Sequence, residues 1–181
     1  MRRNRLGILT LAVLILTTTA VHASSWSTVG GGCVPDDGDT RGAAPDWFVN
    51  GPGAGDGRVS LSVAGMGNVT LRCSITNPID AGLVSPAWAN WEITYIDGDG
   101  AAVATNVVMS ICAMPKIPGA TLCYPQFNSD LAGVPGPNFA AGPIVGFPGW
   151  DFMNNYYFLE VSINDFAGGA AASFFGAELL D

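Results

Sequence analysis

The chain has 181 residues, a formal net charge of −8, 24 glycines, 12 prolines and a single histidine, His22. Residues 1–23 read as an export leader; beyond them four basic residues (Arg41, Arg58, Arg72, Lys116) stand against fifteen acidic ones, 4 − 15 = −11, with no histidine. That balance excludes Ser-His-Asp and Cys-His nucleophiles, histidine-held zinc or haem, and a basic surface for nucleic acid.

In the leader, Arg2, Arg3 and Arg5 precede a nearly continuous apolar run over residues 6–16. Those eleven residues fall short of the roughly 20 that span a bilayer as a helix. Val21 and Ala23 place small residues at both recognition positions of a signal-peptidase site, so the mature chain is expected to begin at Ser24. No later run approaches a membrane span. The expectation is a secreted, periplasmic or cell-surface protein. A lipid anchor on Cys33 fits poorly, because Cys33 lies well downstream of the apolar run.

Residues 24–57 form a loop-rich segment in which Asp36-Asp37-Gly38-Asp39 and the glycine-dense stretch 51–57 resist regular structure. From 58 to 181 the dominant period is two. Val59, Leu61 and Val63 alternate with serines; after Gly65-Met66-Gly67, Val69, Leu71, Cys73 and Ile75 alternate with Thr70, Arg72 and Ser74, which reads as a hairpin with one buried face. Trp91, Ile93 and Tyr95 continue the pattern, and Asp97-Gly98-Asp99-Gly100 turns the chain into a strand over 103–111. Prolines crowd 115–148. Tyr157, Leu159, Val161 and Ile163 then oppose Phe158, Glu160 and Ser162, and a turn over 164–169 leads into a strand over 173–180. With no amphipathic helix, seven to nine strands point to one all-β domain, an antiparallel β-sandwich that is jelly-roll-like or immunoglobulin-like, a closed barrel being the lesser option.

Four cysteines in an exported chain are most simply two structural disulfides. Three pairings exist; spacing and the inward phase of Cys73 favour Cys33–Cys73 and Cys112–Cys123. The elements Cys33-Val34-Pro35, Leu71-Arg72-Cys73, Tyr95-x-Asp97-x-Asp99-Gly100 and Asn155-Tyr156-Tyr157 together resemble a plan found in small secreted β-rich bacterial proteins of uncharacterised activity. The resemblance implies export and a β-rich domain, and brings no catalytic residue or ligand.

The carboxylates of a glycosidase would come from strands, where Glu92 and Glu160 are the candidates, but both fall on the outward phase. Oxygen ligands for weakly held calcium could come from Asp36, Asp37 and Asp39 or from Asp97 and Asp99, although Asp-Gly pairs are also ordinary turn chemistry. Lys116, flanked by prolines at 115 and 118, is a poor base for a Ser-Lys mechanism, and the Asn68-Val69-Thr70 sequon sits in a tight bend. The aromatic loop Phe147-Pro148-Gly149-Trp150-Asp151-Phe152 is the leading binding candidate; the competing reading folds Trp150 inward as an anchor. These features favour a non-enzymatic extracellular module that binds a glycan or surface protein. A fimbrial subunit is one version, with Gly168 placed as in pilins but Leu180 where they carry tyrosine. A polysaccharide hydrolase with paired carboxylates is the alternative.

Overall fold

The computed structural model describes residues 25–36, 47–49, 57–61, 67–77, 86–102, 104–166 and 172–181. The expected leader, Asp37, Asp39, Arg41 and Gly168 lie outside them. Among the described residues there are eleven strands: β1 (Trp26–Val29), β2 (Val34–Pro35), β3 (Trp47–Val49), β4 (Val59–Leu61), β5 (Gly67–Ile75), β6 (Asn90–Asp97), β7 (Thr105–Pro115), β8 (Leu122–Asn128), β9 (Gly136–Pro143), β10 (Asn155–Asp165) and β11 (Ala172–Leu180). None of the described helices is long and apolar enough to cross a membrane.

The strands form two antiparallel sheets. Sheet A runs β3-β4-β11-β6-β9, with β1 also paired to β11; sheet B runs β2-β5-β10-β7-β8. Successive strands cross between sheets at every step except β3 to β4 and β7 to β8, which sets β4-β11-β6-β9 against β5-β10-β7-β8 in the jelly-roll arrangement. Of the two sandwich types expected, this is the first. One local expectation is corrected. β4 and β5 are not a hairpin, since β4 pairs with β11 and β5 with β10. The Asp97–Gly100 corner turns the chain as expected, and the strands it joins lie in opposite sheets. Period-two alternation identifies the inward side chains but carries no information about which sheet supplies the partner strand.

The inward phase is as expected. Val69, Leu71, Ile75, Val107, Met109, Ile111, Leu159, Val161 and Ile163 from sheet B meet Val59, Ile93, Tyr95, Phe174 and Leu179 from sheet A. Phe127 of β8 closes one side, its ring 4.9 Å from Tyr95 and 5.6 Å from Trp91. The proline-rich stretch yields β8 and β9 after all, and both are edge strands, where a missing N–H costs no ladder bond. Part of the segment expected to be loop-rich is also recruited as strand: β1 lies along β11 and β2 along β5.

Both disulfides form as expected, Cys33–Cys73 and Cys112–Cys123. Cys73 is buried on the inward phase of β5, so the first bridge ties β2 and its flanks to the sandwich. The second joins residues directly opposite one another on β7 and β8.

Candidate functional site

Phe147, Trp150 and Phe152, the aromatic residues expected to offer a recognition surface, belong to a ring cluster beneath the loop. The indole of Trp150 is 9% exposed and packs 5.1 Å from Trp88, 4.6 Å from Phe147 and 5.1 Å from Tyr157. Its Nε1–H donates to the Trp88 carbonyl at 3.1 Å, which satisfies the polar atom that burial would otherwise strand. Asp151 caps the turn: its carboxylate accepts from the Asn154 side chain at 2.7 Å and from the backbone N–H groups of Met153 and Asn154. Those bonds, the Asn154 amide first, hold its pKa below the ordinary value. Trp150 is therefore anchored in the cluster; with Asp151 it still borders a hollow of about 390 Å³, and Phe152 lines the larger groove described next.

The open concavity lies beside it, on the outer face of sheet B, as a groove of about 1050 Å³. Its floor follows from the register. Across the strands, Arg72 lies opposite Glu160, which lies opposite Ser110; Ser74 lies opposite Phe158, which lies opposite Cys112; Tyr156 lies opposite Met114. These are outward-phase positions, so the floor is an aromatic and sulfur-containing strip (Tyr156, Phe158, Met114, Cys123) with polar groups at both ends. Tyr156 is 57% exposed. At one end the Arg72 guanidinium reaches Asp36 at 2.8 Å and Glu160 at 3.5 Å, and lies 5.5 Å from the Phe158 ring centre. At the other, Asn155, Asn77 and Thr121 line the wall, and the Lys116 Nζ donates to the Phe152 carbonyl at 2.7 Å while sitting 5.1 Å from the centre of the Tyr156 ring. A smaller hollow of about 390 Å³ adjoins the groove, sharing Asn155 and Tyr157.

A groove of this kind can stack the apolar face of a sugar ring on an aromatic side chain while amides, hydroxyls and charged groups meet its hydroxyls. Tyr156, Phe158, Arg72 and Lys116 were not expected to form a set. The signal was present, since Tyr156 and Phe158 are large rings on the outward phase of a strand.

The remaining candidates are dispersed. Glu92 and Glu160 lie on the outer faces of different sheets and cannot act as a pair. Glu92 instead stands opposite Glu178, both lining a hollow of about 340 Å³ on sheet A beside Phe139 and Phe175. Among the described residues one group of three ligand-type side chains converges, Cys112, Cys123 and Glu160, with both sulfurs already joined in the bridge.

Asp97 and Asp99 serve the crossing between sheets. Asp97 is fully buried; its Oδ1 accepts from the N–H groups of Asp99 and Gly100 and from the Thr105 hydroxyl at 3.0 Å. Asp99 accepts from the N–H groups of Ala104 and Thr105 at 2.9 and 3.1 Å, and from the same hydroxyl. Burial pushes the Asp97 carboxyl above its ordinary 3.8. Burial also acts on Asp99, but its hydrogen bonds to Thr105, Asp97 and the backbone bring it below that value. A raised acid contributes stability that is full below 3.8 and lost as pH rises through its folded pKa; a lowered one contributes stability present above 3.8 and lost as pH falls through its folded pKa. The protein is therefore expected to melt higher just above pH 4 than at pH 8, and Asp97→Asn to reduce that difference. Thermal scans of both proteins across pH 3–8 check this; an unchanged pH profile in the variant would remove Asp97 from the account.

No protein-family model and no curated protein matches the chain. Among solved structures it is similar to a family two carbohydrate esterase from Cellvibrio japonicus, at 10% identity and a TM-score of 0.35, over 87% of this chain. The match covers 34% of the esterase, so this chain spans about a third of its length. It is also similar to a family 11 carbohydrate-binding module from Clostridium thermocellum, in complex with a β-1,3-1,4-mixed-linked tetrasaccharide, at 13% identity and a TM-score of 0.35, covering 90% of this chain and 91% of that one. A family 11 module of a cellulosomal cellulase of the same organism gives 13% identity and a TM-score of 0.37, with 90% and 89% covered. Likeness at this level carries no weight for what this chain binds, and the groove is read on its own geometry.

Proposed function

We propose that this chain is a non-enzymatic glycan-binding module that works outside the cytoplasm and lays a polysaccharide strand along the groove of sheet B. The observation that carries the reading is the outward aromatic strip of β10, Tyr156 and Phe158, at the floor of a groove of about 1050 Å³ whose two ends are polar. Exposed rings of this size on a sheet face leave apolar area in water unless a ligand covers it. Export is supported by the leader sequence and by two disulfides, which persist in oxidising compartments.

Tyr156→Ala is expected to weaken polysaccharide binding by about 1–2 kcal/mol, roughly tenfold in Kd. It should leave the melting temperature within a few degrees, because the ring is more than half exposed. A glycan array followed by calorimetric titration of wild type and variant measures this; unchanged affinity for the polymers bound by wild type would remove the groove from the reading. Hydrolysis by paired carboxylates, the rival reading, would fall to Glu92 and Glu178, which face one another on sheet A. Release of reducing ends that Glu178→Gln abolishes would decide in its favour.

A further inference from the structure

Resting on that reading, we infer that the strand held in the groove is acidic, a polysaccharide whose carboxylate or sulfate groups are met by Lys116, with Arg72 as the fixed second cation. Beyond residue 23 the chain has four basic residues, and two of them, Arg72 and Lys116, line this one groove. Arg58 sits elsewhere, 5.6 Å from the ring centre of Phe175 on sheet A. Glu160 also lines the groove and pairs with Arg72, so the cation left there without an ion pair among the described residues is Lys116, in a chain whose balance beyond the leader is −11.

The two cations differ in what they have left to give. Arg72 is held by Asp36 and Glu160, so its charge is largely matched and its role is to offer oriented N–H groups. Lys116 makes no ion pair among the described residues; its one donor bond goes to a neutral carbonyl, and Asp151 senses it only at longer range. Two N–H bonds of the ammonium remain uncommitted. The Phe152 carbonyl and the Tyr156 ring hold the ammonium in place, so little side-chain freedom is lost when an anion arrives. An uncharged sugar hydroxyl gains an ordinary hydrogen bond there, whereas a carboxylate or sulfate gains a charge-assisted one. The net negative charge of the protein repels a polyanion at a distance, but the screening length at physiological ionic strength is about 8 Å, so a bound strand feels chiefly the charges of the groove itself.

The test is calorimetric titration of the leader-free protein with polygalacturonate, dextran sulfate and uncharged hydroxyethyl cellulose. At least one anionic polymer is expected to bind about tenfold or more tighter than the neutral one, and the better of the two identifies the anionic group. Lys116→Gln is expected to cut that preference about tenfold with no change in melting temperature, and Lys116→Arg to keep most of it. Equal affinity for charged and neutral polymers, or a preference untouched by Lys116→Gln, overturns the acidic-strand inference and leaves the groove reading intact. Binding to none of the three overturns both.

Discussion

Trp150→Ala is expected to cost about 3–5 kcal/mol, the range for removing a large aromatic from a core, and to lower the melting temperature by about 10 °C. The loss is large because one side chain serves several partners. The indole packs on Trp88, Phe147, Phe152 and Tyr157, and its N–H satisfies the Trp88 carbonyl. Deleting it leaves a void among rings that belong to both the loop and β10. Trp150→Phe keeps most of the packing and gives up the hydrogen bond, so it should cost nearer 1 kcal/mol plus the unfilled volume. Thermal scans of the two variants decide the matter. A Trp150→Ala protein that melts within a degree or two of wild type would mean that the indole is not anchoring the loop.

Replacing Cys33 and Cys73 together by alanine is expected to cost about 4 kcal/mol, against about 3 kcal/mol for the Cys112 and Cys123 pair. The difference comes from the length of chain each bridge closes, 40 residues apart in sequence for the first and 11 for the second. The first bridge also tethers β2, whose two residues would hardly stay paired to β5 unaided. Urea titrations of the two double variants rank the losses. A larger loss for Cys112 and Cys123 would indicate that strain in the native strands, not closure of the unfolded chain, governs these bridges.

Much of the sandwich was legible in the sequence because a half-buried strand advertises itself. Val69 to Ile75, Trp91 to Tyr95 and Tyr157 to Ile163 each alternate cleanly, and all three point inward as read. The pairing of the cysteines was legible too, since Cys73 shares the inward phase and Cys112 and Cys123 flank a short reversal. Sheet membership was not legible. Leu61 and Val69 look the same whether their strands are neighbours or lie across the core, and only distant partners such as Phe174 and Ile163 settle which. The loop at 147–152 left both readings of Trp150 open for a related reason: irregular backbone has no period, so the inward turn of Trp150 leaves no mark in the spacing. The groove was hidden because its floor is assembled by register from β5, β7, β8 and β10, strands far apart along the chain. Arg72 and Glu160 become partners only once β5 lies against β10.

The placement of the last two strands governs how this chain can fold. β10 lies between β5 and β7, and β11 lies between β6 on one side and β1 and β4 on the other. Without residues 155–180, β5 and β7 have no ladder between them, and neither β1 nor β4 is joined to β6. An emerging chain therefore carries its apolar strands unsheltered until nearly all of it is available, and no early half can close a core of its own. Assembly should be late, cooperative and slow, as expected where nearly every pairing spans a long loop. A chain interrupted before β11 should be a sticky, protease-sensitive coil rather than a smaller sandwich.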